Sequence, residues 1–220
     1  MNVLSVTSHP DDLELGAGSS IAKLAEEGNK VYSLILAEPN YGGRIQAEDP
    51  RIIKSQCFDA AAILGIEETE FADFPDNRFD TVAFLDIVKV IEKYKEMVKP
   101  EIVFCHTGMC LNIDHQITHR AVITACRPLK DEKVRSIYGM EILSSSEWLY
   151  GSERFKPNAY FPLTKEQVDK KLRAMSCYKS ELREFPHPRS ELGIECLLRL
   201  RGSECGVEWS EAFEIIRSVE

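Results

Sequence analysis

A chain of 220 residues is long enough for one domain with a substantial core and short for two, so residues 1–220 are read as a single unit. With 44% apolar residues, 29% charged residues and a formal net charge of −9, it reads as a soluble globular protein, without the basic footprint of a nucleic-acid binder. The first residues lack a basic segment leading into an apolar run, and no stretch approaches the ~18 apolar residues of a membrane span.

Residues 2–8 form an apolar run that reads as a buried strand, followed by a helix over 14–28 with Ile21, Leu24 and Ala25 on one face and Gly28 as its stop. A second strand covers 31–36. After a polar loop with Gly42-Gly43, a helix over 51–64 ends at Gly65. Residues 70–74 form a short strand, 80–98 an amphipathic helix stopped before Pro100, and 101–105 a further strand. Strands alternating with helices imply right-handed βαβ units on a largely parallel sheet, a Rossmann-like α/β fold with its site at the strand C-termini. Beyond that point a helix over 115–126 ends at Arg127-Pro128. Strands near 134–140 and 158–162, a helix over 164–180 and an apolar closing segment around 207–217 complete the same unit.

Seven scattered cysteines, with no C-x-x-C pair, form neither a disulfide framework nor a Cys-zinc site. Several lie in apolar runs, as in Val103-Phe104-Cys105, where thiols act as small hydrophobes; a reducing cytoplasm suits them.

His9-Pro10-Asp11-Asp12 sets an imidazole and two carboxylates at the end of the first strand. Adjacent carboxylates repel unless a cation lies between them, and a divalent metal on His9 and one Asp would remove that cost. The other reading is a turn whose Pro-Asp-Asp caps the next helix. A second His-rich stretch, His106 followed by Asn112-Ile113-Asp114-His115 and His119, also follows a strand, so a parallel sheet can bring the two clusters together. His115 and His119 share a helix face, as paired metal ligands do, although the Glu of H-E-x-x-H is absent. Gly16-Ala17-Gly18 with Glu38 imitates a dinucleotide fingerprint, but the polar insertion before the glycines and Ile21 at the third glycine position argue against it. The glycines instead let the start of the helix pack closely beneath the site.

The run His9-Pro10-Asp11-Asp12-Leu13-Glu14-Leu15-Gly16-Ala17-Gly18 resembles the opening motif of the PIG-L/LmbE deacetylases, HPDD-x-E-x-G-x-G. Asn112-Ile113-Asp114-His115 followed by Ala121-Val122 resembles their second motif, and Pro100 to Phe104, leading into His106, resembles the approach to it. Ala60 to Gly65 is similar to a family helix end, and the final segment, with Gly202-Ser203 and Glu211-Ala212-Phe213, to one bacterial branch. The resemblance implies a zinc hydrolase that removes acetyl from an N-acetylated amino sugar, free or in a nucleotide-linked or glycosidic conjugate. It implies His9, Asp12 and His115 as ligands of Zn²⁺, with Fe²⁺ or Mn²⁺ able to occupy the same set. It implies Asp11 as general base, and Asp114 as a group orienting a neighbouring ligand or acid, against the plainer role of a helix N-terminal carboxylate.

One departure stands out. Many members carry His three residues before the ligand His, where this chain has Asn112. An amide can donate to an oxyanion but cannot act as a charged acid, and His106, His119 and His187 are other candidates for that role. His119 is the runner-up third ligand. Arg44, Arg51 and Arg78, in loops or helix starts after strands two and three, are candidate substrate contacts, as is His187 within Pro186-His187-Pro188-Arg189-Ser190. That last segment reads either as a substrate wall or as a helix start capped by Ser190. Trp148 and Trp209 are able to stack on a sugar ring, with core packing the expected role. A metal-dependent amidase on a non-sugar molecule and a silent carbohydrate-binding relative are the alternatives; homo-oligomer formation is left open.

Overall fold

The computed structural model describes residues 1–39, 49–151 and 153–219. Among these, five parallel strands stand in the order β3-β2-β1-β4-β5: β1 (Asn2–Thr7), β2 (Lys30–Ala37), β3 (Glu68–Phe74), β4 (Ile102–His106) and β5 (Ser136–Met140). Two further strands, β6 (Ala159–Pro162) and β7 (Ser210–Ser218), extend the sheet beyond β5, with β7 antiparallel to both its neighbours.

The central strands are apolar on both faces because helices cover both. Val3, Val31 and Phe104 point to one side, where they pack with α1 (Asp12–Glu26), α2 (Pro50–Leu64), α5 (Lys165–Met175) and α6 (Glu191–Cys205). Their strand neighbours Leu4, Val103 and Cys105 point to the other, against α3 (Phe84–Val98) and α4 (Ile113–Ala125). This period-two alternation, apolar on each side, is what a doubly covered parallel sheet requires.

Local chemistry sets the helix limits. Asp49 accepts the Arg51 N–H before α2, Pro50 opens it, and Gly65, at φ 80°, closes it. Thr164 and Gln167 form a reciprocal capping box on α5. Near the site the sheet and helices touch closely: a Cβ on Gly16 would stand 2.6 Å from Met140 Sδ on β5, and one on Gly18 3.2 Å from Lys171 Cγ on α5.

Three elements differ from the sequence reading. The helix expected over 80–98 starts only at Phe84, after a 3₁₀ turn at Phe79–Thr81. The Asp114 carboxylate accepts the Phe79 N–H at 3.0 Å and ties that turn to α4 instead. The helix expected over 164–180 stops at Met175, and Tyr178 beyond it turns inward, fully buried. Finally, α6 was not foreseen beyond its Ser190 cap, because only Ile194, Leu198 and Gly202 of its residues are buried, too thin a stripe to register.

Lys171 and Glu211 pair in the core at 2.6 Å, with side chains 1% and 3% exposed. Lys171 also reaches Leu15 O, while Glu211 accepts the Ser19 and Ser20 N–H groups, so the pair joins α1, α5 and β7. Breaking a buried pair by removing one partner costs about 3–5 kcal/mol. Lys171→Met should fall near the lower limit in urea unfolding, since two backbone N–H groups still hold Glu211. Adding Glu211→Gln should recover part of the loss; a neutral Lys171→Met would contradict this.

Candidate metal centre and its pocket

Three side chains from two strand ends converge. His9 follows β1, Asp12 opens α1 and His115 lies in the first turn of α4, which follows β4. One donor atom from each lies within 4.8 Å of the others, and all three residues are buried. His9 Nδ1 stands 3.1 Å from His115 Nε2 and 3.2 Å from Asp12 Oδ2, and His115 Nε2 stands 3.3 Å from Asp12 Oδ1. Asp12 Oδ1 is buried without a hydrogen-bond partner among the described residues. Two imidazole nitrogens and an unsatisfied carboxylate oxygen facing a common point form a donor set that fits a divalent cation.

The surroundings fix these three side chains. Asp114 Oδ2 and Asp76 Oδ1 each lie 3.4 Å from His9 Nε2, on the side of the ring away from Nδ1. The His106 ring, fully buried, stacks on His115 with centroids 3.9 Å apart and planes 10° from parallel. His115 Nδ1 meets Cys110 Sγ at 3.1 Å, and Cys110 Sγ meets Ser145 Oγ at 3.0 Å. Outer partners of this kind hold a ligating imidazole in one tautomer and one orientation.

The charge balance is uneven. Burial opposes a charge on His9, but the carboxylates of Asp12, Asp114 and Asp76 outweigh it and hold its pKa well above the ordinary imidazole value. Burial pushes His115 down to about 3 despite the nearby Asp12. For Asp12, burial is overcome by His115, His106 and His9, so its carboxyl lies well below the usual range. Burial raises Asp11, against the pull of Arg189.

A cavity of about 270 Å³ opens beside the cluster, lined by His9, Asp11 and His115 together with residues from four later segments. Asp76 and Asn77 follow β3, Asn112 opens α4, Ser144 and Trp148 follow β5, and Glu181, His187 and Arg189 lie between α5 and α6.

Not every expected contact lies there. Asn112 lines the cavity, but its Oδ1 also caps α4 by accepting the Asp114 N–H at 2.8 Å, and its amide reaches Asn77 Oδ1 at 3.4 Å. His187 lines it too, edge-on to Trp148 at 5.8 Å. Arg51 does not: its guanidinium is exposed and paired with Asp49 at 2.6 Å, in a separate cleft with Ser55 and Lys179. Arg78 is exposed at the start of the 3₁₀ turn, where Asp76 and Asn77 face the cavity in its place. Arg44 falls outside the described residues. His119, whose Nδ1 meets His106 O at 2.8 Å, is not part of the ligand cluster. Of the two roles open to the tryptophans, core packing holds for Trp209, buried beneath Arg199, and not for Trp148, which is 37% exposed at the cavity.

Asp76, Glu181, Cys110 and Tyr178 were not foreseen. Asp76 had a usable signal, since it follows β3 at the same edge of the sheet as His9 and His106. Cys110 lies in the stretch between His106 and Asn112, five residues before His115, whereas Glu181 and Tyr178 reach the site only through tertiary packing.

A family profile described as PIG-L, GlcNAc-PI de-N-acetylase, matches residues 4–126, more than half of the chain. The protein belongs to the PIG-L family. The uncharacterized deacetylase YaiS of Escherichia coli K12 is 28% identical over 188 residues, covering 81% of this chain and 90% of YaiS. Among solved structures, the N,N'-diacetylchitobiose deacetylase of Pyrococcus horikoshii matches with a TM-score of 0.79 at 19% identity, over 98% of this chain and 84% of that one. GalB, the 4-carboxy-2-hydroxymuconate hydratase of Pseudomonas putida KT2440, matches with a TM-score of 0.78 at 19% identity, over 100% and 98%. At such identities the two structures establish the shared fold alone. No helix among the described residues is long and apolar enough to cross a membrane.

Metal uptake by this PIG-L centre should depend on pH in a defined sense. The carboxylates around His9 favour its protonated form, and a His9 that ligates a metal must release that proton. Apparent Zn²⁺ affinity should therefore rise about tenfold per pH unit and flatten above the raised pKa of His9. His115, at about 3, competes for no proton in the neutral range. Competition with a chromogenic chelator across neutral pH checks this; a pH-independent affinity contradicts it.

Proposed function

We propose that the protein is a zinc-dependent N-deacetylase that hydrolyses the acetamide of an N-acetylated amino sugar or of its nucleotide-linked or glycosidic conjugate, and that residues 1–220 form one such unit. The observation that carries this reading is Asp11: it lines the same cavity as His9 and His115 yet lies outside the ligand set. The family of the chain and the deacetylase relatives support it. Fe²⁺ or Mn²⁺ suits the same donors. Seven unpaired thiols among the described residues support a cytoplasmic location.

A metal on His9, Asp12 and His115 would supply Lewis acidity and lower the pKa of a water at its open position. Asp11 takes the proton released on attack and returns it to the departing amine. The Asn112 amide, held by Asn77 through a long 3.4 Å bond, can turn its donor to the developing oxyanion at little cost. Trp148 offers an aromatic face to a sugar ring, while Asp76 and Asn77 accept its hydroxyl protons. At about 270 Å³ the cavity suits one sugar-sized unit, with the rest of a conjugate outside.

Acetate release from N-acetyl sugars, nucleotide-linked sugars and non-sugar amides tests the reading. Release from non-sugar amides alone would replace the sugar assignment, and none from any by metal-loaded protein would end the deacetylase one. Asp11→Asn should keep the metal and lose about 10²–10⁴-fold in kcat, because the amide cannot accept the proton; near-normal turnover would refute its role as base.

For Asn112 two functions must be separated. Asn112→Ala removes both donor and cap, and should lower kcat about 10²–10³-fold while costing roughly 1 kcal/mol of stability. Asn112→Asp keeps the cap but not the donor, so its stability should recover and its kcat should not. Full activity in Asn112→Asp would transfer the oxyanion role to another group.

A further inference from the structure

The segment between α5 and α6 grips the His9–Asp12 motif at the two residues that do not bind metal. Tyr178, fully buried, donates its hydroxyl to Pro10 O at 2.7 Å. Arg189 Nη1 bridges Asp11 Oδ2 and Glu181 Oε2, at 2.6 Å to each. The same guanidinium is fixed from behind, its Nε donating to Ser144 Oγ at 2.7 Å and reaching Leu143 O at 3.4 Å. Both hydrogens on Nη1 and the one on Nε are therefore committed to protein groups, and a planar group held at two nitrogens has no freedom to tilt.

Asp11 needs an external hold. It stands at the start of α1, where a carboxylate usually accepts helix N–H groups, but its φ of −95° and ψ of −6° are helical and its side chain makes no capping bond. The helix thus leaves the orientation of this carboxylate open. Arg189 holds Oδ2 and leaves Oδ1 as the proton-accepting oxygen. Glu181 keeps the bridging nitrogen in place: it is 8% exposed, and burial with the nearby Asp11 charge pushes its own carboxyl up to about 7.

The geometry points to Arg189, anchored by Glu181 and Ser144, as the positioning residue that aims the catalytic base Asp11; this rests on the deacetylase reading. A general base misplaced by ~1 Å costs about 10²-fold in rate, even when every reacting group is present.

The test compares Arg189→Ala, Arg189→Lys, Asp11→Asn and the Asp11→Asn/Arg189→Ala double variant, each loaded with Zn²⁺. Arg189→Ala should lose about 10²-fold in kcat with KM and Zn²⁺ affinity little changed. Arg189→Lys should lose nearly as much, because an ammonium cannot span Asp11 and Ser144 together. In the Asp11→Asn background Arg189→Ala should cost nothing more, and added guanidinium should restore turnover only where Asp11 is intact. Additive losses, or a raised KM with kcat kept, would overturn the inference and make Arg189 a substrate contact. Should Arg189→Ala fail to fold, Arg189→Lys carries the comparison through the same cycle. If wild-type protein releases no acetate, the deacetylase reading falls, and a crystal structure of the variant decides positioning alone. An Asp11 carboxylate displaced or split between rotamers supports it; an unmoved one overturns it.

Discussion

The crowding of negative charge at one end of the sheet governs the arrangement of everything near it. Asp11, Asp12, Asp76, Asp114 and Glu181 are all buried within reach of His9 or of one another. Like charges taken out of water repel strongly and are tolerated only with compensation. The structure divides them into two groups. Asp12, Asp76 and Asp114 surround His9, and Asp11 with Glu181 share Arg189. The first group encloses the His9 imidazole, whose charged form these carboxylates favour. The second shares the Arg189 guanidinium.

That division explains why neighbouring carboxylates can hold different roles. Asp12 turns toward imidazoles that lower its pKa, while Asp11 turns toward a guanidinium in a site where burial raises it. Separated environments push the pKa values of paired carboxylates apart, so that one site can use the two groups differently. Here the separation is produced by a single residue along the chain, since helical geometry at the start of α1 sends consecutive side chains in different directions.

Much of this was legible in residues 2–126. Alternating apolar runs gave the parallel sheet, and His and Asp clusters placed after the first and fourth strands announced where chemistry would gather, because strand ends in such sheets face one edge. The remainder was hidden for physical reasons. Asn112 reads as a donor in sequence, and only the backbone shows that its oxygen is already used to cap α4. Arg51 and Arg78 are as cationic as Arg189; the first pairs with Asp49 two residues away, and nothing local reveals that the last reaches Asp11 across 178 positions. Likewise α6 packs through three residues, so its burial pattern is too sparse to read. Glu181 and Tyr178 depend on α5 ending where it does.

The order in which the chain is made gives the Lys171–Glu211 pair another meaning. During synthesis α1 and the His9–Asp12 motif emerge early, α5 later, and β7 last among the described strands. Until residue 211 is available, Lys171 has no carboxylate to meet, and the Ser19 and Ser20 N–H groups lack their acceptor. A nascent chain that closed α5 onto α1 before then would bury the ammonium against Leu15 O without its counter-charge, at a cost of several kcal/mol. The pair thus ties the packing of α5 on α1 to the presence of β7, the last of the described strands in the chain.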